Sequence, residues 1–434
     1  MGQITLNPFI NTTMAGLSTV SFQTITDNNY RISFDESICG MLFDISERTG
    51  VFDMIPLTAL YFADGQVQVI RNISEATAMG LMDERLMNGL VAYHIKTYYE
   101  FIGKDQNLHI VFANCKNNDE PDFSVIGDIQ VSANGAIFQL GIWTEQDILD
   151  EELKPLQLIN NIQYNVNELS NADNSMGNGS TPLSVMLFPH IDEKVDYKKL
   201  PDIINLSAPK VSVFLGQNGS DEVHAIQEQN PKHTPVSLLG FVLGTLTLAG
   251  AENSIADVGQ FNLNISDQLC FPELGFGRNY SPIYDIIEVR RNRLAMNGYI
   301  ILNTYDAVEA GVFFCNEQTL SYGEYDTISK NRLMHKAKRI IKRALLPRVN
   351  ADIFLDPSGN ISVTEIVAIS NDIYEFLDAN MVTRMGQKQI SGREVVIDPV
   401  QKVLENDTLT VKVEFTPVTS SEKIQVEEGV MLNM

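Results

Sequence analysis

The chain has 434 residues, about three domains' worth at roughly 150 residues each, and is 44% hydrophobic, 20% charged and 8% aromatic, the composition of a folded globular protein. Its 55 Asp and Glu against 31 Lys and Arg give a net charge of −24, which excludes a basic nucleic-acid coat. The longest apolar run, residues 238–251 (LLGFVLGTLTLAGA), carries three glycines and two threonines in its 14 residues; it is too short to span a bilayer and predicts a buried element, with no direct membrane insertion.

The first ten residues (MGQITLNPFI) hold no Lys or Arg and no continuous apolar stretch, so they are not read as a secretory signal. The first twenty are small and polar, without helical period, and are expected as an extended arm. Residues 107–113 (NLHIVFA) and 135–143 (GAIFQLGIW) have the composition of strands. Residues 147–169 then read as helical, with Leu149, Leu153, Leu156, Ile159 and Ile162 three or four apart, although Pro155 interrupts the pattern. After a loop rich in Asn, Gly and Ser at 171–182 come a strand at 183–188, a helical stretch at 197–206, a strand at 210–215 and a buried helix over 236–249. Strands and helices alternating at this spacing predict an α/β layer with a partly parallel sheet. The Pro- and Gly-containing stretch 270–282 is the expected domain boundary. Beyond it, 299–303 and 311–315 predict a hairpin, 327–346 a long amphipathic helix closed by Pro347, and 363–381 a second helix. Strands are expected at 394–397 and 409–415, and 421–434 reads as a tail with strand alternation.

Four cysteines (Cys39, Cys115, Cys270, Cys315) lie far apart without a C-x-x-C pair, which argues against a zinc site or a disulfide framework. Phosphate loop, dinucleotide fingerprint, nucleophile elbow and H-E-x-x-H are all absent from the sequence, and the six histidines never pair at metal-ligand spacing. Residues 356–360 (DPSGN) start like a calcium loop but lack Gly at the sixth position and Glu at the twelfth, so a β-turn is expected. No catalytic, cofactor-binding or metal-binding residues are assigned.

One segment stands apart. Residues 330–348 (KNRLMHKAKRIIKRALLPR) hold eight Lys and Arg and no acid. On a helix, Arg332, Lys336, Arg339 and Arg343 form one stripe, while Met334, Ala337, Ile341, Ala344 and Leu345 lie opposite. Like charges four apart repel, and a negatively charged partner would relieve that cost. Aromatics for base stacking are missing from the segment, which leaves an acidic protein surface as the alternative to nucleic acid.

An ordered series of motifs resembles the contractile tail sheath proteins of phages and related injection systems. It runs through 331–341 (NRLMHKAKRII), a helical stretch ending near 381, the strand 392–399 (GREVVIDP) leading into 401–404 (QKVL), and 409–417 (LTVKVEFTP). Residues 141–144 (GIWT), 211–217 (VSVFLGQ) and 255–259 (IADVG) are similar to sheath sequences as well, so the likeness covers roughly 130–434. The resemblance implies a structural, non-enzymatic subunit that stacks in rings around an inner tube and contracts to drive it through a target envelope. It implies an α/β (α+β) fold: an N-terminal arm (1–20), an outer α/β region (21–270), a tube-facing α+β sheath domain (271–420) and a C-terminal strand arm (421–434). Arg332, Lys336, Arg339 and Arg343 would then meet an acidic tube, and the arms, with Ile4, Leu6, Ile424 and Val426, would pair with neighbouring subunits. Implied partners are the chain itself in a ring and helical homo-polymer, the inner tube, and baseplate and terminator proteins, with no nucleic acid and no cofactor. Assembly would occur in the bacterial cytoplasm, and the mature particle would be a phage tail or contractile injection apparatus. Two other readings stay open: a different tail or baseplate component, and a cytoplasmic α/β enzyme or ligand-binding protein whose site carries no motif.

Overall fold

Runs of residues buried on both sides of the backbone, at 39–44, 108–113, 139–146 and 184–190, cannot sit in a sheet with a wet face, and they pair in parallel as a covered α/β sheet should. A computed structural model describes residues 9–14, 18–22, 35–48, 64–150, 152–155, 157–170, 181–230, 232–265, 269–305, 311–348, 351–382, 389–401, 403 and 408–418. Two strands, β1 (Phe9–Met14) and β2 (Ser18–Phe22), precede the α/β body. That body begins with β3 (Cys39–Asp44), β4 (Gln68–Ile70), α1 (Ile73–Ala78), α2 (Leu90–Ile102) and β5 (Leu108–Ala113). A small hairpin, β6 (Lys116–Asn117) and β7 (Glu120–Pro121), leads to α3 (Val125–Ser132), β8 (Gln139–Asp147), α4 (Leu158–Glu168), β9 (Ser184–His190) and β10 (Val211–Phe214). Next come β11 (Gln217–Asn218), α5 (Asp221–Gln229), α6 (Leu239–Leu248), the hairpin β12 (Pro272–Phe276) and β13 (Asn279–Pro282), α7 (Glu288–Met296) and β14 (Tyr299–Ile300).

The main sheet has seven strands in the order β14-β10-β9-β8-β3-β5-β4. Its pairings are parallel except for the edge strand β4. The apolar run read as a buried element is α6, which packs against α2 and against β8. Two of its neighbourhood's glycines set that distance. A Cβ on Gly141 of β8 would lie 2.2 Å from Leu239 Cδ1, and one on Gly240 would lie 2.6 Å from the His94 carbonyl oxygen. Any larger residue at either position would push helix from sheet or helix from helix.

The chain then forms the two-stranded pair β15 (Leu302–Asn303) and β16 (Phe313–Phe314), the long helix α8 (Ile328–Leu345), α9 (Val363–Leu377), and the hairpin β17 (Ile390–Val396) and β18 (Thr408–Pro417). Helices α8 and α9 with the hairpin enclose a second core that includes Leu333, Ile340, Ile341, Ile369, Ile373 and Val411. The first core continues as far as Ile328. The two cores therefore meet within α8, and the segment after residue 270 belongs to the first body, because β14 adds to the main sheet beside β10. The break expected at 270–282 is a hairpin.

The mixed α/β architecture expected from the sequence is present. Locally there are departures. The stretch 147–169 is helical only from Leu158, after the turn around Pro155, which is bridged to Leu149. The stretch 197–206 forms two short 3-10 turns, Tyr197–Lys199 and Ile204–Leu206. In the pair expected at 299–303 and 311–315, residues 299–300 go to the main sheet instead. Residues 356–360 form the expected turn, in which the Asp356 carboxylate accepts the backbone N–H of Ser358 and of Asn360. No described helix is long and apolar enough to cross a membrane.

Candidate functional site: the basic helix and the strand edge

Helix α8 starts where Thr327 accepts the Lys330 N–H with its hydroxyl, an N-cap that satisfies one of the orphan donors of the first turn. Its apolar stripe faces the second core, as the 3.6-residue period predicts. The cationic stripe does not face solvent. Arg332, Lys336 and Arg339 are 0%, 1% and 0% exposed, pressed against the α/β body.

The cause is a supply of backbone carbonyls. A helix leaves its last four carbonyls without intrahelical partners and carries partial negative charge there. Arg332 donates to Leu246 O at 2.8 Å and Ala249 O at 2.9 Å, at the C-terminal end of α6, and further to Gly250 O and Glu36 O. Arg339 reaches the entry of the main sheet. It donates to Gly135 O, to Ile137 O at 2.8 Å and to Pro182 O at 2.9 Å, and its guanidinium lies 3.8 Å from the centre of the Phe138 ring. Five donors in a planar fork suit such multiple carbonyl contacts, and the ring face adds a cation–π attraction.

Between the two arginines, Lys336 pairs with Glu36 at 2.9 Å. The same Glu36 oxygen accepts from Gln389, whose amide also donates to Glu252. Burial pushes the Glu36 carboxyl upward, but the Lys336 ammonium outweighs it and the group ends below its usual range. On a neighbouring flank, burial holds the Lys338 and Lys342 amines down to about 8. His335, 3.5 Å from the Ser184 hydroxyl, is kept far below its ordinary value by burial and then by Lys210, Lys338 and Arg339.

This corrects the sequence-based placement. Arg332, Lys336 and Arg339 are engaged within the chain, so the cationic ladder is a seam between its two bodies. Arg343, of the four, is exposed. At the ends of the segment Lys330 pairs with Asp326 at 2.6 Å, and Arg348 with Glu365 at 2.7 Å and Asp372 at 2.6 Å. Sequence reasoning missed Glu36, Gln389 and the carbonyl seats, since carbonyls have no sequence signature; the one available hint was the end of the apolar run at Gly250-Ala251, directly before the acid Glu252.

The second feature is a four-stranded sheet in the order β17-β18-β1-β2. Strand β1 pairs in parallel with β18, from Phe9 opposite Thr408 to Met14 opposite Val413, so both ends of the chain share one sheet. The expected arm residues Ile4, Leu6, Ile424 and Val426 lie outside the described residues.

A family model described as DUF2586, C-terminal domain, matches residues 324–434, about the span from the start of α8 onward. None of the curated proteins matches the chain in sequence. Among solved structures, a chain of the anti-feeding prophage (AFP) baseplate, from a 6-fold symmetrised cryo-EM structure, is 11% identical with a TM-score of 0.56, over 96% of this chain and 99% of that one. A chain of the PVC sheath complex in its contracted state, from an extracellular contractile injection system, is 12% identical with a TM-score of 0.55, over 96% of this chain and 98% of that one. A sheath tail protein from Desulfitobacterium hafniense is 8% identical with a TM-score of 0.46, over 86% and 93%. The fold is thus shared, over 96% of this chain, with the AFP baseplate chain and the PVC sheath-complex chain.

Proposed function

We propose that the chain is the structural subunit of a contractile sheath, a homo-polymer that surrounds an inner tube and contracts to drive it through a target envelope. The observation that carries this is the fold-level likeness to the AFP and PVC chains, which covers 96% of this chain and nearly all of both others. A likeness confined to one domain would speak for a borrowed module; an end-to-end one favours the same kind of subunit. The role is structural rather than catalytic.

The sheet shared by the chain ends fits this reading. A β18 edge that takes β1 from its own chain can take the same strand from a neighbour, since backbone pairing is indifferent to which chain supplies it. The arm residues Ile4, Leu6, Ile424 and Val426 are proposed as such links. For the inner tube, Arg343 is the member of the original four that remains on offer, and Arg332, Lys336 and Arg339 act indirectly by fixing the face on which it stands. Assembly in the bacterial cytoplasm, with baseplate and terminator proteins closing the polymer, completes the proposal.

Electron microscopy of the purified full-length chain tests it: long tubes are expected. A chain that stays monomeric at high concentration with both termini intact would overturn the reading. A baseplate component of the same fold is the second reading, favoured by the likeness to a baseplate chain; closed rings that never elongate would select it.

A further inference from the structure

Helix α7 presents an exposed surface that carries cations. Val289, Arg293 and Met296, four and three residues apart, share one face, and Ile287 leads into it. Ile287, Val289 and Met296 are 63%, 75% and 74% exposed. Arg290 and Arg293 converge with Lys198 on a small cleft floored by Leu294 and Asn297. Among the described residues neither arginine forms an ion pair. Large apolar side chains interleaved with arginine are the composition of an interface centre.

On the second body a face of opposite charge carries the same apolar character. Val363 and Val367 stand one turn apart on α9. Phe354 lies beside them through the hydrogen bond from Ser362 N to its carbonyl, and Val400 through the one from Ile361 N to Pro399 O. Phe354, Val363, Val367 and Val400 are 70%, 76%, 51% and 67% exposed. Asp352 lies two residues before Phe354 and the Asp398 carboxylate accepts the Val400 N–H, and both acids are themselves exposed. Among the described residues of the hairpin, Arg393 is held by Asp378 and by the Tyr374 ring, and Lys412 pairs with Glu414.

We propose that α7 of one copy docks on the Phe354–Val363–Val367–Val400 face of a second copy, with Arg290 and Arg293 against Asp352 and Asp398. Two different patches of one chain meeting head to tail make a heterologous contact, which repeats as an open helical array when the rotation does not close. The apolar rim argues against a nucleic-acid or free-phosphate occupant, and a second copy supplies both the acids and the apolar area. This inference rests on the reading of the chain as a polymer subunit and names one of its contacts.

Disulfide trapping tests it on the full chain. The native cysteines do not interfere, since Cys39, Cys115 and Cys270 are buried and Cys315 is half-buried. A Met296→Cys chain mixed with a differently tagged Val367→Cys chain should give a mixed dimer under mild oxidation, and neither variant alone should dimerise. Arg290→Glu with Arg293→Glu should reduce the adduct at least tenfold, and adding Asp352→Lys with Asp398→Lys on the partner should restore it. Dimers of Met296→Cys alone, or an adduct indifferent to the charge reversals, would overturn the contact. Wild-type tubes without the adduct sink this contact and spare the polymer reading; the adduct without tubes does the reverse.

Discussion

Arg339 and Arg343 stand one turn apart on the same stripe of α8, yet the first is sealed against Phe138 and three carbonyls and the second faces water. Replacing Arg339 by Ala would leave those carbonyls desolvated and unpaired, so a loss of roughly 3–5 kcal/mol in denaturant unfolding is expected. Arg343→Ala should change stability by no more than about 0.5 kcal/mol, and an equal loss in both would show that Arg339 is not seated as described. Glu317 supplies a second residue-scale prediction. Its carboxylate accepts from Ser329 at the start of α8, and burial pushes its pKa up to about 7. Between its ordinary value near 4.5 and 7 the folded chain holds the proton that the unfolded chain releases, so stability falls as pH rises through that window. Glu317→Gln should flatten the slope of Tm against pH from 4.5 to 7 and raise Tm at pH 8. Lys338 and Lys342, held down to about 8, act in the opposite sense at the alkaline end. The unfolded chain binds more protons there, and stability rises from pH 8 toward 10.5.

Helix α8 is the element that unites the chain, since its apolar stripe belongs to one core and its cations to the carbonyls of the other body. Calorimetry of the wild-type chain should therefore give one cooperative transition for residues before and after α8. Arg332→Ala combined with Arg339→Ala should split it into two, because each body keeps its own apolar core. A single transition at lowered temperature in the double variant would refute the seam as the coupling device. This element also marks how far the sequence could be read. Thr327, Pro347 and the 3.6-residue period placed the helix within a residue or so of Ile328–Leu345, and the apolar face was identified correctly. The other face was assigned to an acidic partner outside the chain, because eight like charges with no acid among them repel one another. The acceptors that draw them inward are main-chain oxygens from Leu246, Ala249, Ile137 and Pro182, which any sequence possesses. Pro155 and the 3-10 turns at 197–206 are failures of another kind: period alone does not say whether apolar spacing will be realised as an α-helix or a tighter turn.

At the level of the molecule, order along the chain was more legible than its division. The partly parallel sheet followed from strands and helices alternating along the chain, but the boundary was placed at a Pro- and Gly-rich hairpin because such residues also mark linkers; the return of β14 to the main sheet is a long-range pairing that no local pattern records. The shared terminal sheet is equally non-local, and it yields a prediction. A chain lacking residues 1–22 would present the β18 edge unpaired, and a synthetic peptide of residues 1–22 should bind this truncated chain at least tenfold more tightly than the intact one, read by fluorescence anisotropy. Equal affinity for the two would mean that the edge does not accept the strand in trans.

The seam at α8 has a mechanical consequence. Charge seated on carbonyls is directional and does not slide as apolar packing can, so the α/β body and the C-terminal body turn as one lever. In the proposed filament a change of pitch would therefore place the shear between copies, on the proposed strand links and patches, and each subunit would pass torque on without bending.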